Sequence, residues 1–194
     1  MKWMALVFGL ALALAAWALP GIAGEAAVPE TADGLKAQMT QVLAAVKADD
    51  KEKVEQLTQG LVLPDPEAWF KEVFGDELGE KVAADYTRRV KDLPTGVAKT
   101  IARYIEQGYT EVNARKAQKD DDLKDVPGRV RAAFAAMKKP VPLYAAGFCK
   151  PGEKWGNAIY SFVYVKDAFR VIGKLRPIPL PEKKAREGEA PAEP

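Results

Sequence analysis

Apolar positions along this chain fall into two rhythms, one helical and then one extended. From Ala32 to Lys47, Leu35, Met39, Val42, Leu43 and Val46 recur at helical spacing and predict an amphipathic helix. Ala48-Asp49-Asp50 interrupts it. Asp49 with Glu52 resembles a capping box for a second, short helix with Val54 and Leu57 inward and Gly60 as its stop. Leu61-Val62-Leu63-Pro64 reads as an extended link. Asp65-Pro66-Glu67 is a strong helix start (cap, proline in the first turn, acid beside it) for a segment rich in Trp69, Phe70, Val73 and Phe74. Gly75 ends that segment. Asp76 then caps a helix over 77–92, with Leu78, Val82, Tyr86 and Val90 on one face. Leu93-Pro94-Thr95-Gly96 reads as a break before a helix over 97–107.

After Gly108 the period changes. Thr110, Val112 and Ala114 alternate with Glu111, Asn113 and Arg115, predicting a strand over 109–117 with one wet face. An acidic turn over 118–127 lacks the spaced oxygens, turn glycine and closing glutamate of a calcium loop. An amphipathic helix over 128–138 follows it, with Val130, Phe134 and Met137 inward. Leu143–Cys149, Ala158–Val165 and Ala168–Leu175 then read as three strands joined by a Pro/Gly-rich turn and by Lys166-Asp167. The middle one is apolar at nearly every position, which predicts a central strand covered on both faces; the last alternates and is expected to be peripheral. The fold class predicted is α+β, a helical N-terminal half packed on a C-terminal antiparallel sheet, closing as a cone-like roll. The domain spans 32–176 after a linker over 25–31.

The two ends are different in kind. Met1-Lys2, an apolar run from Trp3 to Leu19 and Pro20-Gly21-Ile22-Ala23-Gly24 have the layout of a secretory signal over 1–24, which implies an exported, periplasmic or extracellular protein. No later segment is long and apolar enough to cross a bilayer, so no stable transmembrane segment is expected after cleavage. From 177 onward Pro, Glu, Lys and Ala dominate, the composition of an unstructured tail.

Composition narrows the chemistry. The chain has no histidine and one cysteine, Cys149. That removes imidazole acid–base catalysis, serine and cysteine triads and the usual zinc sites, and it leaves no internal disulfide. The one serine, Ser161, lies in no nucleophile motif, and there is no phosphate-binding glycine loop. No cofactor, no metal and no catalytic residue is expected. Removing the signal leaves 28 basic residues against 27 acidic, a balance that argues against a nucleic-acid binder.

The closing hairpin, Phe162-Val-Tyr-Val-Lys-Asp-Ala-Phe-Arg-Val-Ile-Gly-Lys-Leu175, resembles the last strands of nuclear-transport-factor-2-like domains, with Asp167-Ala168 where that pattern has Asp-Gly. The order of elements, and the segment around Trp69, Phe74-Gly75 and Tyr86, is similar to the periplasmic phospholipid-shuttle (toluene-tolerance) proteins. The first resemblance implies a cone-shaped α+β barrel, and the second a bundle of helices and a sheet around a ligand pocket. In the second family the ligand is a lipid.

The aromatic supply points the same way. Tyr144 and Phe148 share a parity, as do Tyr160, Phe162 and Tyr164, so one sheet face would be lined with rings. The residues expected to line a ligand are Trp69, Tyr86, Tyr104, Tyr144, Tyr160, Phe162 and Phe169. The function expected is a non-catalytic module binding an apolar or amphipathic small molecule, such as a lipid. A protein–protein module of the cell envelope is the alternative. A third reading is a small enzyme using a buried carboxylate, Asp85 beside Tyr86 or Glu67 near Trp69, with Asp85 otherwise expected at the surface. Trp155, in the turn before the middle strand, is either an exposed contact or a ring folded back on the domain.

Overall fold

The computed structural model describes residues 28–118 and 126–180; the expected signal, most of the expected acidic turn and the end of the expected tail lie outside the described residues. The expected α+β order is present: α1 (Ala32–Lys47), α2 (Lys51–Gln59), α3 (Pro66–Phe74), α4 (Asp76–Val90), α5 (Leu93–Glu106), β1 (Glu111–Ala117), α6 (Gly128–Ala136), β2 (Leu143–Cys149), β3 (Asn157–Val165) and β4 (Ala168–Val171). The four strands form one antiparallel sheet in the order β1-β2-β3-β4. β3 is thus internal and β4 terminal, as their apolar patterns predict. Among the described residues no helix is long and apolar enough to cross a membrane.

Both faces of the sheet are covered, each by its own core. On one face, Leu35, Met39 and Val42 of α1, Leu57 of α2 and Ile101 of α5 pack on Tyr144, Ala146, Phe148, Phe162 and Phe169. On the other, Phe70 and Phe74 of α3, Val82 and Tyr86 of α4 and Phe134 of α6 pack on Leu143 and Val163. Every residue of β2 is buried. β2 carries no charged side chain because apolar layers cover it on both sides, whereas in β3 only Ser161, Phe162 and Val163 are buried.

Several boundaries move for local reasons. Asp50, not Asp49, caps α2, accepting from the Lys53 N–H at 3.0 Å, while Asp49 takes a left-handed turn at φ 51°. α5 begins at Leu93 because Pro94 occupies its first turn, where a missing N–H is harmless; the tetrapeptide read as a break is a helix start. β4 stops at Val171, short of the expected Leu175, because Gly173 (φ 75°) and Leu175 (φ 47°) turn the chain away. The core nevertheless continues into the expected tail, where Ile178 is buried with α3, α4 and α6.

The outer edge of β4 is closed by parts distant in sequence. Gln38 of α1 donates from Nε2 to the Phe169 carbonyl at 3.1 Å and accepts from the Phe169 N–H at 3.0 Å. The Val171 N–H donates to Leu61 O at 2.8 Å, and Val62 bridges Val171 in parallel. A terminal strand whose edge groups are satisfied in this way is no template for a second chain.

Candidate functional site: a cleft beside the open half of β3

The site originates in one residue. Tyr144 pairs with Phe162 but Ala145 pairs with Tyr160, so Ser161 is an extra residue in β3. Ser161 has φ 66° and forms a bulge that advances side-chain alternation by one. The shared parity expected for Tyr160, Phe162 and Tyr164 is therefore corrected. Phe162 and Tyr164 pack with the α1 core, while Tyr160 packs against the α3/α4 core on the opposite face.

The bulge also divides β3 in its pairing. β4 pairs only with Phe162–Val165. The Ile172 N–H donates to Ser161 O at 2.9 Å, and then Gly173 leads the chain off. The half of β3 before the bulge thus has no β4 partner. Ala158, Ile159, Tyr160 and Ser161 form one wall of a cleft of about 1200 Å³. The facing wall is α5, through Leu93, Gly96, Val97, Thr100 and Tyr104, together with the end of α4. Val130 of α6 and Val171 complete the apolar lining.

The charged lining of the cleft is mostly positive. Four cations line it, Arg89, Arg129, Lys174 and Arg176, against one carboxylate, Asp92. All four gather about residues 173–176. A Cβ placed on Gly173 would lie 3.5 Å from Arg89 Nη1. Arg129 Nη1 donates to the carbonyls of Arg176 at 3.4 Å and Ile178 at 2.8 Å. Leu175 is buried, and the residues on either side of it, Lys174 and Arg176, are exposed.

Of the seven residues expected to line a ligand, Tyr86, Tyr104 and Tyr160 line this cleft and are brought together. The Tyr86 hydroxyl accepts from the Leu63 N–H at 2.8 Å, and burial pushes its pKa up. The other four lie elsewhere. Tyr144, Phe162 and Phe169 are core residues of the α1 face, with Tyr144 edge-on to Phe169 at 4.9 Å. Trp69 packs edge-on against Phe70 of α3 at 5.1 Å. The cationic lining was missed because arginine and lysine on helix surfaces and in turns look alike whether they face a cleft or bulk water.

The carboxylates considered for acid–base work are already engaged. Asp85 is buried, not a surface residue, and its carboxylate is held by Arg89 and, at 3.3 Å, by Arg88. Glu67 is exposed and pairs with Lys71 at 2.6 Å, which holds its pKa below the usual carboxylate value. Trp155 folds back: its ring lies over Gly147 of β2, and the Arg115 guanidinium stacks on it at 4.6 Å. Cys149 is buried, and desolvation pushes its thiol pKa up.

Comparison with family models, with curated proteins and with solved structures gives no match. The functional reading therefore rests on the cleft.

Proposed function

We propose that this protein is an exported, non-catalytic module that binds an apolar or amphipathic small molecule in the cleft between α4–α5 and the open half of β3. The observation that carries this reading is the cleft itself. Its volume of about 1200 Å³ exceeds the several hundred Å³ that a small ligand needs, and its walls join an apolar floor to a few polar groups. A lipid fits that description, as does any other chain-like amphiphile. The signal-like N-terminus supplies the export.

Native mass spectrometry of the protein, purified from the periplasm of an expressing cell without detergent, tests the proposal. An added mass released on denaturation is expected, and it should be lost in Ala158→Trp, which fills the cleft from the β3 wall. A bare chain mass in both proteins counts against a carrier and leaves an envelope protein as the partner to seek by pull-down.

A further inference from the structure

The cleft has a chemical direction. Most of its apolar residues lie along α5 and β3, Val97 and Ile159 among them, with Val130 and Val171 nearer the charged end. Its cations lie together about residues 173–176, and they arrive there from three separate parts of the chain: Arg89 from α4, Arg129 from α6, and Lys174 and Arg176 from the segment itself. Charges on independent elements meet at one place only at an electrostatic disadvantage, unless something of opposite sign offsets it. Asp85 does so for Arg89, and Arg129 is occupied with backbone carbonyls. Among the described residues Lys174 and Arg176 form no ion pair, although both line the cleft.

We propose that the ligand is an amphipathic anion whose carboxylate or phosphate end is held at Lys174 and Arg176, beside Arg89 and Arg129, with its apolar part lying between Val97 and Ile159. This rests on the reading of the cleft as a ligand site. Guanidinium and ammonium donors suit either oxyanion, and arginine suits a phosphate or carboxylate edge in two-point contact.

The experiment is a calorimetric titration of the whole secreted chain with three probes of equal chain length: decanoate, decyl phosphate and decanol. At low salt the two anions are expected to bind about tenfold more tightly than the alcohol, the preference that two partly solvated charge contacts give. Lys174→Gln with Arg176→Gln, both at exposed positions, should reduce that preference to about unity while leaving the circular dichroism spectrum unchanged. Tighter binding of decyl phosphate than of decanoate points to a phosphate-bearing lipid, and the reverse to a fatty acid. Equal binding of all three, or an anion preference that survives the double substitution, overturns the anionic assignment and leaves the cleft reading standing. Binding of none overturns both.

Discussion

At the scale of single residues, close approaches decide more than residue type. Gly147 is required because the Trp155 ring covers it; an added Cβ would stand 2.9 Å from the indole. Gly147→Ala should therefore lift Trp155 off the sheet and away from Arg115. A red shift and stronger acrylamide quenching of tryptophan emission would show this, and an unchanged spectrum would contradict it. The buried tyrosines make a second prediction. Burial raises the Tyr144 pKa from its ordinary 10.0 to about 12 and shifts Tyr86 the same way. Both hydroxyls are protonated in folded and unfolded chains below pH 10, so their contribution to stability is complete there. It is lost as pH rises from about 10 through about 12, because the unfolded chain ionises first. Urea midpoints followed across that window should fall, and midpoints that stay level would rule this coupling out.

At the scale of elements, pairing explains what hydrophobic pattern alone left open. Phe169 presents its outward N–H and C=O to the single side chain of Gln38. Gln38→Leu keeps the volume but strands both groups, and should lower stability by about 1–3 kcal/mol in chemical denaturation. At the bulge, Ser161 holds φ 66°. A β-branched residue resists that conformation, so Ser161→Val should cost about 1–2 kcal/mol, while Ser161→Gly should change stability little. A loss as large in the glycine variant as in the valine variant would mean the backbone conformation is not the cause.

How much of each element was legible depends on whether its pattern had a polar side. α1 and β2 coincide with their expected limits, since Thr31 and the Lys47-Ala48 end frame α1 and the turn residues frame β2. The bulge in β3 was hidden for the same reason that the strand was recognised as central. With Ile159, Tyr160, Phe162 and Val163 all apolar, no polar face records a slip of one position. A lone serine in that run was the available signal.

At the scale of the whole molecule, two cores share one sheet, and the wholly buried β2 is common to both. The amides of residues 143–149 should consequently exchange only through global unfolding and be the slowest in the chain by hydrogen-exchange mass spectrometry. Faster exchange there than in α1 would show that the two cores open independently. The order of helices and strands was readable from the sequence, because helical and extended periods separate along the chain; the division of the helices between the two faces of the sheet was not. The cleft was not: its walls come from α4–α5 and from residues 158–176, and no local pattern couples segments so far apart.

The extra residue in β3 also gives the strand a division of labour. Phe162 and Val163, after the bulge, are fully committed to the two cores, whereas Ala158, Ile159 and Tyr160, before it, are only half-buried. Side chains of the leading half can vary and reshape the cleft while its backbone stays paired with β2, and the trailing half keeps its buried side chains in both cores. The strand is thus evolvable at one end and fixed at the other, and a library randomised at Ala158 and Tyr160 is the natural starting point for changing what the cleft accepts.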